Sequence, residues 1–181
     1  MNLKKIESVI KAYRIFRTQH PDTWIDYTMQ QNSLEKAIEA AALSVDAHGK
    51  RNPHQRRRSS QTLSDFRDAL VEKKAYFGKA KHFDELFSLV DSVRVHDIGP
   101  LTKYDAAHRI GCYRKLLPDK VYLHNGALLG AEYLLKTRIR ERSISKLQLP
   151  SPFHSEDVSC ADIEDILCIY KDRLREAAGN I

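Results

Sequence analysis

The run F-D-E-L-F-S-L-V-D-S-V (Phe83–Val93), followed by V-H-D-I-G-P-L-T-K-Y-D-A-A-H-R-I-G (Val95–Gly111), decides the fold of this chain. Apolar residues recur at three- and four-residue steps through the first run, the pattern of a helix with one buried face. A tight turn ending Asp97-Ile98-Gly99 follows. Pro100 then opens a second helix, since a first-turn residue needs no backbone N–H and proline's fixed φ suits that position. Two helices joined by a hairpin leave several amides directed out of a helix N-terminus. Together with the positive end of the helix dipole they favour an anion, and phosphate suits the position.

Helical spacing continues on both sides. Leu3, Ile6, Val9, Ile10, Tyr13 and Phe16 predict an amphipathic helix over 3–19, stopped by His20-Pro21. Trp24, Ile25 and Tyr27 fall in an expected linker. Asn32, with Glu35 as its reciprocal partner, is expected to cap a helix over Leu34–Val45. The pattern lapses in H-G-K-R-N-P-H-Q-R-R-R-S-S (48–60), which reads as a loop. It resumes over 62–76, with Gly78 as the stop. A turn at Pro118 and a short extended piece precede a helix capped by Asn125 and running to Leu135. Ser159, with Asp162 at the third helical position, caps a last helix over 160–174, and Gly179 ends it. No segment carries a convincing strand period, so the expected fold class is all-α, a helical domain over 1–181 containing a helix-hairpin-helix motif at about 83–111.

The chain has 181 residues, 42% hydrophobic, which is enough for one domain with a real core. Its formal charge of +6 favours a polyanionic partner. Three cysteines, Cys112, Cys160 and Cys168, form no C-x-x-C pair, and an odd, unpaired set argues for a reducing cytoplasm. The N-terminal run M-N-L-K-K-I-E-S-V-I-K places charges through its apolar positions, so neither a signal peptide nor a membrane span is expected. His48 and His54 lie in a loop without fixed ligand geometry, and no metal site is expected.

Three groups of residues carry candidate chemistry. Ile98, Gly99, Leu101, Thr102 and Lys103 form the hairpin group, in which main-chain amides, a hydroxyl and an ammonium would hold phosphate. Lys50, Arg51, Arg56, Arg57 and Arg58 form a basic loop able to follow a phosphate backbone. Trp24, Tyr122, His124 and Asn125 are candidates for a pocket that takes an extruded base by stacking and hydrogen bonding. None of the hairpin atoms reads base identity, so binding without sequence preference is expected.

The stretch 83–135 also resembles the helix-hairpin-helix DNA glycosylase superfamily, particularly its alkylated-base branch. Asp97-Ile98-Gly99-Pro100-Leu101-Thr102-Lys103 fits the hairpin of that family, and Asp119-Lys120-Val121-Tyr122-Leu123-His124-Asn125-Gly126 is similar to its run into the active site. Asp97 replaces a glycine, Lys103 replaces a small residue, and Asn125 or Gly126 stands where the family has its catalytic aspartate. The resemblance implies DNA as partner; no cofactor is expected, beyond a monovalent cation that could link the hairpin amides to a phosphate. Candidates for any remaining catalysis are Asn125 at the family position, Asp119 and Glu132 as acids offset from it, and Lys103 as a nucleophile two residues off the family's hairpin position. An amide cannot deprotonate water at neutral pH. The expectation is therefore a DNA-binding protein lacking efficient base excision. An active glycosylase for a damaged or modified base is the first alternative, and a helical protein-interaction module the second.

Overall fold

Asn2, Asp22, Ser33, Ser59 and Ser159 each turn a side-chain oxygen onto an amide of the following turn, and a helix starts at each. A computed structural model describes residues 1–179. Its helices are α1 (Leu3–Gln19), α2 (Thr23–Met29), α3 (Leu34–Leu43), α4 (Ser60–Val71), α5 (Lys74–Lys79), α6 (Phe83–Asp91), α7 (Pro100–Arg114), α8 (Asn125–Leu135), α9 (Cys160–Ile169) and α10 (Lys171–Ala178). A two-residue antiparallel pair joins β1 (Val121–Tyr122) to β2 (Ser143–Ile144), with Val121 opposite Ile144. The fold is all-α. Among the described residues no helix is long and apolar enough to cross a membrane.

Where the observed elements depart from the sequence expectations, the cause is local. The expected linker holding Trp24 is helical, because Asp22 accepts from the amides of both Trp24 and Ile25. Ser33 caps α3 in place of Asn32, accepting from the Lys36 amide. The helix expected over 62–76 is two helices broken at Glu72 and Lys73, and Gly78 lies within the second. Asn125 is the first residue of α8 instead of its cap, and the extended His124 precedes it. The final helix breaks at Tyr170. The capping box of Ser159 and Asp162 forms as expected.

The chain divides into two compact units, Met1–Pro21 with Asp119–Ile181, and Asp22–Pro118. In the first, Ile6, Val9, Ile10 and Tyr13 of α1 join Ala127, Ala131 and Leu134 of α8 and Ile163, Ile166 and Leu167 of α9 in one apolar cluster. Each large side chain taken fully out of water there contributes about 1.5–3 kcal/mol. Tyr13 donates toward Asp162 and Asp165, at 3.0 and 2.9 Å, tying α1 to α9. Burial, reinforced by those carboxylates, pushes its hydroxyl far above the ordinary tyrosine range.

In the second unit α3 packs on α4 and α7, and α2 lies against α7 and α3. Leu63, Phe66 and Leu70 of α4 are fully buried, as are Leu86 of α6 and Ile110 of α7. Tyr104 meets Phe83 and Phe87 edge-on. Cys112 also sits in α7, where burial, with the nearby Asp22 charge, pushes its thiol up to about 11. The unfolded chain releases that proton at lower pH than the folded one. The contribution of this thiol to stability is thus fully present below pH 9 and is lost as pH rises toward 11. Urea midpoints of Cys112→Ala are expected to decline less than those of the parent between pH 9 and 11; parallel curves would reject this.

Candidate nucleic-acid interface

The segment between α3 and α4 is built as a platform. Asp46 accepts from the His48 and Lys50 amides, both at 2.9 Å, and from the Thr23 hydroxyl. Burial opposes its ionisation, yet those donors hold the carboxyl below the usual range. Val45 bridges to Arg51, and the Asn52 amide donates to Ser44 O. Asn52 in turn caps a short 3-10 turn, Pro53–Gln55, through the His54 amide. The Trp24 indole N–H donates to Lys50 O at 2.9 Å. Trp24 is therefore an anchor of this platform, and it belongs to a different unit from Tyr122, His124 and Asn125.

The platform is fastened to α7. Gln55, fully buried, donates through Nε2 to Asp105 Oδ2 at 2.7 Å, and His54 Nδ1 lies 3.1 Å from the same oxygen. Burial works against the Asp105 charge, but His54, Arg109 and Gln55 outweigh it and hold the carboxyl below its ordinary value. Arg109, 4% exposed, donates to Ser44 Oγ at 2.9 Å and Ala41 O at 3.3 Å. Sequence reasoning missed this network. Its one signal was Asp105 and Arg109 standing a single turn apart on the same helix face.

The basic residues accordingly divide. Arg51 is spent inside the platform, donating to Arg58 O and Ser60 Oγ at 2.8 and 3.0 Å. Arg58 reaches the hairpin, with its guanidinium 3.9 Å from Asp97 Oδ1. Lys50, Arg56 and Arg57 are exposed. The structure thus brings Arg58, at the end of the basic loop, against Asp97 of the hairpin, 39 residues later in sequence.

In the hairpin the left-handed residue is Asp97, at φ 63°, in line with the tolerance of aspartate for that region. Gly99 takes an ordinary extended conformation at φ −88° and ψ 175°, with open space where a side chain would go. The turn is therefore not built on glycine at this position. Gly99→Ala is expected to leave stability unchanged within about 0.5 kcal/mol, and a clear loss in thermal unfolding would contradict that reading.

The amides also divide. Ile98 N–H donates to Val95 O at 3.2 Å, and Lys103 N–H donates to Gly99 O at 3.1 Å. Leu101 and Thr102 fall in the first turn of α7, where amides have no partner within the helix. Among the described residues no side chain caps that helix start. Lys103 does not extend into solvent. It is 6% exposed, and its ammonium donates to Asp91 O at 2.7 Å with Asp91 Oδ1 at 3.4 Å. It closes the end of α6 onto α7, which gives it a structural task in place of the expected phosphate contact.

In the other unit Tyr122 and His124 are both buried, at 4% and 9% exposure. Asn125 is exposed at the start of α8, with Asp119 exposed six residues earlier. Glu132 accepts from the Ile139 amide at 3.1 Å and faces Arg138 at 3.5 Å. No protein-family model, curated protein or solved structure matches this chain.

Proposed function

We propose that this chain binds DNA through its phosphates, largely without sequence preference and without efficient base excision. The observation that carries this reading is the fastening of a cationic platform beside an uncapped helix N-terminus. Arg58 meets Asp97, while His54 and Gln55 meet Asp105 on the helix that the hairpin opens. Lys50, Arg56 and Arg57 supply charge without geometric selectivity, and the Leu101 and Thr102 amides supply directed donors. Such groups recognise a backbone and leave base identity unread. A monovalent cation bridging the hairpin to a phosphate belongs to the same proposal.

The chemistry of the catalytic candidates supports the second half of the proposal. Asn125 carries an amide, which takes no proton from water at neutral pH. Glu132 is engaged by Ile139 and Arg138, and Lys103 by Asp91. Duplex affinity measured across a salt series tests the binding. Arg56→Glu with Arg57→Glu is expected to weaken it and to flatten the log–log salt slope by roughly 2, since each neutralised phosphate adds about 0.9. An unchanged slope excludes the loop, and negligible low-salt affinity of the parent protein removes the proposal. Incubation with duplexes carrying modified bases is expected to yield no abasic sites.

A further inference from the structure

A second surface of the unit Asp22–Pro118 has the chemistry of a stacking platform. Phe77 of α5 is fully buried and Ala80, just after it, is 7% exposed, so that side of the short helix is anchored in the core. Tyr76, the neighbouring residue, is 61% exposed. Arg114, at the end of α7, donates to Phe77 O at 2.6 Å and to Ala80 O at 3.4 Å, clamping the C-terminal end of α5. The ring of Tyr76 is thus presented on a braced element.

Charge surrounds that ring in an ordered way. Lys73, Tyr76 and Lys79 recur at three-residue steps, which puts them on one face of the helical turn. Lys79 and Lys81 are exposed and Lys73 is half-buried. Lys74, on another face, is engaged by Glu35, and Glu72 is the acidic residue next to Lys73. A lone exposed ring between ammonium groups is too small for an apolar protein interface, which needs a contiguous patch of several hundred Å². It fits a polyanion carrying π-faces.

We propose that Tyr76, flanked by Lys73 and Lys79, stacks a base of single-stranded nucleic acid while the two lysines meet its phosphates. Every base has a π-face, so the contact tolerates any sequence. Arg114 and the hairpin stand at opposite ends of α7, a helix of 15 residues, so the two surfaces lie about 20 Å apart at 1.5 Å per residue. The site is separate from the duplex interface proposed above and does not depend on it.

Fluorescence anisotropy with a labelled oligothymidylate and the full chain tests the assignment. Tyr76→Ala is expected to weaken binding by about fivefold or more, Tyr76→Phe to bind within about twofold of the parent, and Lys79→Ala to flatten the salt slope by roughly 0.7. Duplex affinity is expected to be unaffected by Tyr76→Ala, whereas the Arg56 and Arg57 reversals act chiefly on duplex, so the two proposals fail separately. Tyr76→Ala binding oligothymidylate as the parent does, Tyr76→Phe losing as much as the alanine variant, or a parent protein with no affinity for the oligomer would each overturn it. Unchanged melting of Tyr76→Ala, expected for so exposed a side chain, confirms that the loss is one of contact.

Discussion

Gly130→Ala is expected to destabilise the protein by about 2–3 kcal/mol, although alanine is intrinsically the better helix former by about 1 kcal/mol. Gly130 lies in α8, buried against the Leu167 backbone of α9. A methyl group there would land 2.9 Å from the Leu167 carbonyl carbon and closer still to its oxygen. Backbone cannot rotate aside as a side chain can, so the two helices must separate. Separation loosens Ala127, Ala131, Ile163, Ile166 and Leu167, which share one apolar cluster. In a chain of this size the loss corresponds to a melting temperature lower by about 5–10 °C. A variant that melts with the parent would show that α8 and α9 can slide apart without cost, and the close backbone approach would then carry no energetic weight.

Arg109→Met is the second large effect, with about 3 kcal/mol of stability expected to disappear. The guanidinium is buried, satisfies Ala41 O and Ser44 Oγ at the end of α3, and holds the Asp105 charge by proximity. Methionine fills similar volume, so the loss measures polar groups left without partners, and breaking a buried charge arrangement typically costs 3–5 kcal/mol. Asp105 gives the acid side of the same test. Its carboxyl titrates below the ordinary range in the folded chain, so its contribution is present above the unfolded pKa and is lost as pH falls through the folded one. Arg109→Met should raise that carboxyl and shrink its share of the acid-induced loss. Urea titration at neutral and acidic pH checks both halves. A loss under 1 kcal/mol at neutral pH would mean that water replaces the guanidinium.

Much of the helical organisation was legible in the chain because it is local. The three-and-four spacing from Leu3 to Phe16, proline opening α7 and the Ser159 capping box each act within one or two turns. The breaks were not legible. Lys115 and Lys136 end α7 and α8 in left-handed geometry, a conformation that lysine gives no reason to expect. α2 was hidden because its cap follows directly on a proline, and Glu72-Lys73 carries no breaker residue at all.

The candidate site divides along the same line. The hairpin and the basic run could be found by composition, but their juxtaposition depends on Asp97, Asp105 and Gln55, residues with no meaning until distant elements meet. Lys103 shows the reverse. Its sequence position beside a phosphate-like turn suggested an outward ammonium, whereas the carbonyl of Asp91, twelve residues earlier, draws it inward. A partner's location in space decided the role, and spacing along the chain carried no trace of it.

The internal commitments of Arg51, Arg58, Lys103, Arg109 and Arg114 alter what an approaching polymer would feel. These five cations serve as joinery, bound to backbone carbonyls, to the hydroxyls of Ser44 and Ser60 and to the carboxylates of Asp91 and Asp97. Attraction over a distance would still sense the whole sum, since a field adds every charge. At contact, once the last hydration layer is expelled, only groups with freedom to reorient can follow a bending chain of anions, and a tally of lysine and arginine overstates their number.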